Sequence, residues 1–310
     1  MKSPALRTKI GMHKRLNILT LTSLLLLVAA SLSSCRKEPA PHHDGGHQVL
    51  FECIDYNTRA VATATNLRDN GFRVYAFYTL EGNSYDFNDN VKYTSGLWSF
   101  ETPKFWSSGA SYIFKAFYPI SLSQGLLVTD DAYTISDYDI TSQDDLMYAV
   151  YAMDAPKGEG VVPLEFSHLL SLVTIRLKTK IPGLIVSKVS LKGVSNTGDF
   201  ENNSWTASST ADIDITHNPG YGLDASAIDY VDATKGGFLM IPQTVSGANQ
   251  QLVVETSDGK TYDAYIPATS WIAGMNYTYT VTIKQENIVF NEPTVVQWDN
   301  KSATGSVIIK

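Results

Sequence analysis

The chain has 310 residues, 44% of them apolar, and a formal net charge of −7. That length and apolar share suffice for one large or two ordinary cores and exclude a chain disordered by composition. The acidic balance makes nucleic acid a poor partner.

Lys14 and Arg15 precede an apolar run over residues 16–30, and Leu32-Ser33-Ser34-Cys35 follows. A basic start, an apolar stretch of about 15 residues and small residues before a cut are the parts of a secretory signal, and the run is short for a membrane span. Met12 opens a better-proportioned signal than Met1, so either could be the start. The four residues ending at Cys35 resemble the lipobox of bacterial lipoproteins. That resemblance implies a signal of residues 1–34 cut before an acylated Cys35, whose chains would hold a soluble body on a membrane without a spanning helix. The second cysteine is Cys53, so an acylated Cys35 leaves no intramolecular disulfide and stability must come from core packing. Losing residues 1–34 removes five basic and no acidic side chains and moves the net charge from −7 to −12.

Residues 36–47, RKEPAPHHDGGH, show no periodicity and read as a tether. His42, His43 and His47 with Asp44 could in principle hold a metal ion, but no rigid scaffold fixes them, and no metal site is assigned. Next comes a short strand in which Val49, Phe51 and Cys53 alternate with Leu50, Glu52 and Ile54. Such a strand needs a groove to lie in. Thr58-Arg59-Ala60 directly after it is a place where a trypsin-like protease could cut, with Arg68 and Arg73 as alternatives nearby. The arrangement suggests a strand that fills a groove temporarily and is later removed.

From Arg73 the chain becomes a succession of short β segments such as 73–79 (RVYAFYT), 112–118 (YIFKAFY) and 146–152 (LMYAVYA), with no sustained helical period. The run APKGEG at 155–160 marks a boundary between domains at 60–160 and 161–310. In the second, Val173, Ile175 and Leu177 alternate with polar residues, as in a strand with one buried face. Ser257-Asp258-Gly259-Lys260 is a hairpin turn, and Tyr277, Tyr279, Val281 and Ile283 alternate with threonines. The expected fold is all-β, with two tandem antiparallel β-sandwich domains after the signal and tether.

The pattern offers little catalytic chemistry. Beyond the tether the histidines are His168 and His217, too few to supply a base for a nucleophilic centre, and His168 reads as a structural hydrogen bonder. Carboxylates at 130–145 and 212–214 could flank a glycosidic bond only if the fold happened to place them so. Asp86, Asn88 and Asn90 have the spacing of calcium-loop ligands, but Val91 stands where that loop needs glycine, so they read as a turn. Trp98, Trp106 and Trp205 read as core or cross-strand residues before a sugar platform. No catalytic residue and no cofactor is assigned.

Taken together, Leu32–Cys35, Thr58-Arg59-Ala60, Phe166-Ser167-His168-Leu169, the run from Gly237 through Pro242 to Gln243, and the run from Trp271 through Gly274 to Tyr277 resemble the fimbrillin family. These are the type V pilins of Bacteroides-like bacteria, and the likeness is to the Mfa-like branch. The resemblance implies two transthyretin-like sandwiches, export as an outer-membrane lipoprotein precursor, cleavage between Arg59 and Ala60 by a trypsin-like protease, and assembly into a cell-surface fimbrium by donor-strand exchange. Residues 35–59 would then be a propeptide with Val49, Phe51 and Cys53 as its placeholder strand. Candidate donor strands lie in 288–310, carried by Val296, Trp298, Val307 and Ile309, although these could instead complete the second domain's own sheet. The implied partners are other pilin subunits of the same or a different kind, the maturation protease, the membrane through acyl chains, and a receptor on a host or bacterial surface. The contrasting expectation is a monomeric surface glycan-binding lipoprotein that keeps residues 36–59.

Overall fold

The computed structural model describes residues 46–53, 64–122, 125–153, 160–216, 220–223, 228–230 and 237–298. All of them fall in one compact unit, Ala40–Lys310.

The first part runs β1 (Leu50–Cys53), α1 (Ala64–Asn70), β2 (Phe72–Leu80), β3 (Asn83–Thr94), β4 (Leu97–Phe100) and β5 (Ser111–Tyr118). It continues through β6 (Leu126–Val128), β7 (Tyr133–Asp139), a single 3-10 turn at Ile140–Ser142, β8 (Met147–Met153), β9 (Val161–Leu164) and β10 (Ser167–His168). Eight of these strands form one sheet in the order β10-β8-β5-β2-β3-β4-β1-β9. Alternation explains the pattern: Phe72, Val74, Ala76 and Tyr78 of β2 are buried while Arg73, Tyr75 and Phe77 between them are half-exposed. The sheet curls so that Phe166, just past β9, meets Phe72 at the middle with ring centroids 5.1 Å apart.

The second part runs β11 (Ser171–Thr179), β12 (Ile185–Glu201), β13 (Ser204–Asp214), β14 (Tyr221–Gly222), β15 (Ile228–Tyr230), β16 (Phe238–Met240) and β17 (Gln243–Val245). It ends with β18 (Gln251–Thr256), β19 (Thr261–Tyr265), β20 (Thr269–Trp271), β21 (Met275–Ile283), β22 (Ile288–Phe290) and β23 (Thr294–Gln297). One sheet is built on β11 and β21, the other on the long β12, flanked by β18 and β13. Their facing sides share one core, with Val173, Ile175, Tyr279 and Val281 against Val186, Val189, Leu252 and Val254. The 257–260 turn joins β18 to β19 as expected, with Gly259 in the left-handed region at φ +82.

Four features differ from the sequence expectations. Asp86, Asn88 and Asn90 lie within β3, not in a turn; they alternate with Tyr85, Phe87, Val91 and Tyr93, which face the first core. The helix α1 is too short to show a period, and it ends where Gly71, at φ +74, donates to Leu67. Pairing is mostly antiparallel, yet β11 runs parallel to β21 and β1 runs parallel to β9. In β11, moreover, Leu172 and Thr174 are buried along with the expected face, and Gly237 lies close against both.

Hydrogen bonding crosses residue 160 in both directions. β6 and β7 join the sheet of β12, and Phe117, Leu122, Ile135, Ile140 and Leu146 sit in the second core. β9 and β10, beyond residue 160, belong to the first sheet.

Candidate functional site

The strand β1 lies inside the first sheet, not along its rim. On one side it pairs antiparallel with β4, Leu50 opposite Ser99 and Phe51 opposite Trp98. On the other it pairs parallel with β9, from Leu50 opposite Val161 to Cys53 opposite Leu164. The ladder on the β4 side extends upstream, because Val49 N–H donates to Lys104 O at 2.8 Å and Trp106 N–H to His47 O at 3.0 Å. In the sheet β9 has β1 as its one neighbour, and Pro163 in it lacks an N–H, as suits an edge strand.

Side chains of β1 alternate as the sequence indicates. Val49 and Phe51 are buried, Glu52 is exposed and Cys53 is half-buried. Phe51 meets the edges or faces of Phe72, Phe100 and Phe114 at centroid distances of 6.3, 5.1 and 5.7 Å. Burying one valine and one phenylalanine contributes roughly 3–6 kcal/mol before ordering costs. The strand is thus held by a double backbone ladder and one deep aromatic anchor.

Cys35, Arg59, Ala60, Val307 and Ile309 lie outside the described residues, as do His42, His43, Asp44 and His217. Of the alternative cut sites, Arg68 is on α1 over the Tyr93 ring, and Arg73 is within β2, which is paired with β3 and β5. Val296 and Trp298 belong to the second part's own sheet: β23 pairs antiparallel with β21, and Trp298 N–H donates to Gly274 O at 2.7 Å. Val296 is exposed and Trp298 buried.

Trp298 packs on His168, the expected structural hydrogen bonder, whose partner the sequence does not announce. His168 Nδ1 lies 2.7 Å from Asp145 Oδ2, and both side chains are almost fully buried. Gln143 is a second unannounced contact: its side-chain amide accepts from Leu239 N–H at 2.8 Å and donates to Leu239 O at 2.9 Å. It acts as a one-residue strand against β16.

Several tyrosines titrate high. Burial raises Tyr133, Tyr138, Tyr148 and Tyr277, and it pushes Tyr279 up to about 12 although the Trp271 indole N–H donates to its hydroxyl at 2.9 Å. Of the five tryptophans, Trp98, Trp106, Trp271 and Trp298 are buried and Trp205 is half-buried against Phe200, so none is exposed as a flat platform for a sugar. Among the described residues no three His, Cys, Asp or Glu side chains are grouped to hold a metal ion. No helix among them is long and apolar enough to cross a membrane.

The fold resembles that of solved fimbrial and cell adhesion proteins from Bacteroides. A fimbrial protein from Bacteroides vulgatus superimposes with a TM-score of 0.59 at 18% identity, covering 81% of this chain and 99% of that one. A proposed cell adhesion protein from Bacteroides ovatus gives 0.57 at 18% identity, covering 82% and 97%. The chain belongs to the fimbrillin-like family, whose model matches residues 58–298. No curated protein is significantly similar to it.

Proposed function

We propose that the chain is a fimbrial structural subunit, exported as a lipoprotein precursor anchored through Cys35, matured by cleavage after Arg59 and assembled by donor-strand exchange to serve adhesion. The observation that carries this reading is the position of β1. It is paired on both flanks within the sheet, yet it is followed in the chain by the Thr58-Arg59-Ala60 site and precedes the family match, which begins at Thr58. A strand that can be cut free from between two others leaves unpaired backbone on both and an apolar groove, and an incoming strand regains those hydrogen bonds.

Arg59 suits the cut better than Arg73. Cleavage after Arg73 would require opening β2 from both neighbours, whereas the site after Arg59 leaves β2 and β3 paired as they are.

The test is N-terminal and intact-mass analysis of the protein extracted from the cell surface, beside an unboiled gel. A start at Ala60 and a ladder of multimers are expected. A lipidated start at Cys35 with a single monomer band would overturn the reading and favour an anchored binding protein.

A further inference from the structure

An open cleft of about 460 Å³ lies between the β12–β13 hairpin and the small β17–β20 sheet. One wall carries the facing pair Phe200 and Trp205 of β12 and β13, and the other carries the facing pair Thr244 and Ser270 of β17 and β20. Both walls are fixed by hydrogen bonds. Gln243, next to Thr244, accepts from Ser195 N–H at 2.9 Å and donates to Ile241 O at 3.0 Å, while the Trp205 indole N–H donates to Leu169 O at 2.7 Å. A site held in this way loses little freedom when it binds.

The lining decides which chemistry suits the cleft. Among the described residues no charged side chain borders it, so an ion would lose water there with no opposite charge to compensate. Asn203, Ser204, Thr244 and Ser270 are exposed, and their amide and hydroxyls make no hydrogen bond among the described residues. Each of these groups both donates and accepts, and a purely apolar ligand would strip them of water without return. Apolar surface comes from Pro242, Trp205 and Ile272. The Ile272 side chain is 55% exposed, yet its backbone is held firmly: its N–H donates to the Tyr277 hydroxyl at 3.0 Å, and its carbonyl accepts from the Ser171 hydroxyl at 2.9 Å. Neutral hydroxyls and an amide beside apolar surface complement a neutral sugar ring, which has hydroxyls around its rim and C–H groups on its faces.

We propose that this cleft is a subsite for a short neutral saccharide, with Asn203, Thr244 and Ser270 bonding its hydroxyls and with Trp205 and Ile272 against its C–H groups. Hydrogen bonds outweigh ring stacking in this site, since Trp205 is half-buried against Phe200 and presents no flat face. Sialylated and sulfated sugars are rejected, both by the uncharged lining and by the net charge of −7 on the chain. No residue of β1 borders the cleft, so its occupancy does not depend on strand exchange. It rests on the fimbrial reading in one respect: weak binding at one site gains strength where subunits repeat along a fimbrium.

The experiment presents the full chain, coupled in many copies to beads, with an array of neutral mono-, di- and trisaccharides together with sialylated and sulfated ones. Saturable binding of at least one neutral saccharide is expected, and none of the anionic set. The double variant Thr244→Val with Ser270→Ala should bind about tenfold more weakly, since it removes two hydrogen-bonding hydroxyls. Asn203→Gly, which keeps the left-handed turn that Asn203 occupies at φ +59, should weaken binding about fivefold and provides a second variant should the first misfold. Thr261→Val on β19, outside the cleft, should leave binding unchanged. No binding of any neutral saccharide, equal binding of the anionic ones, or undiminished binding by folded cleft variants would each overturn the proposal. The measurement does not need the chain to polymerise, so a missing ladder of multimers would count against the fimbrial reading alone.

Discussion

The imidazole of His168 lies flat against the indole of Trp298, with ring centroids 3.7 Å apart and planes 8° from parallel. Because the other side of this histidine reaches Asp145, a residue between β7 and β8, one on β10 and one just past β23 meet at a single buried point. The last strand of the second part is thereby tied to the first sheet.

Removing the indole should be costly. Trp298→Ala is expected to lose about 3–5 kcal/mol of unfolding free energy, since it opens a cavity over a polar pair. His168→Leu alone should lose a similar amount by leaving Asp145 buried without its partner, whereas the double replacement with Asp145→Leu should lose clearly less. Urea titration of the single and double variants checks both statements.

Phe51→Ala should lower the stability of the uncut chain by about 3–5 kcal/mol, while Glu52→Ala on the outer face changes it by no more than about 0.5 kcal/mol. The measurement is chemical denaturation followed by tryptophan fluorescence. Equal effects from the two would show that β1 does not hold the sheet through its inward side chains.

Gln143→Ala removes both bonds to the Leu239 backbone, leaving a buried N–H and a buried carbonyl to find water. A loss of about 2–4 kcal/mol is expected, with faster amide exchange concentrated at Leu239. An effect spread evenly over the chain would argue against so local a clamp.

Alkaline pH should weaken the fold. Tyr279 titrates at about 12 in the folded protein against an ordinary value of 10.0, so its share of stability is complete below pH 10 and is lost as pH rises from 10 through 12. Tyr279→Phe should flatten that part of the stability profile, and at neutral pH it should cost about 1–3 kcal/mol because the Trp271 N–H loses its acceptor. Denaturation midpoints from pH 7 to 12 for both proteins provide the check.

Much of the fold is readable from residue order. The alternation Tyr277, Tyr279, Val281, Ile283 gives β21 its buried face, and the same rule puts Val49 and Phe51 inward on β1. The 257–260 turn is evident because a tight link between two apolar runs needs a residue that tolerates a positive φ, and Gly259 supplies it. β3 carries the same alternation, with Tyr85, Phe87, Val91 and Tyr93 toward the first core, but the Asp and Asn residues between them have turn chemistry that masks it locally.

The all-β character, the family motifs and the inward side chains of most strands are legible in residue order, because period-two burial is a local property that each strand carries in its own residues. Contacts between residues far apart in the chain place β1 between β4 and β9, run it parallel to β9, pair Gln143 with Leu239 and bring Asp145, His168 and Trp298 together. Backbone hydrogen bonds are alike for every residue other than proline, so a strand's residues do not say which distant strand it joins or in which direction. That choice is made by how the two cores pack.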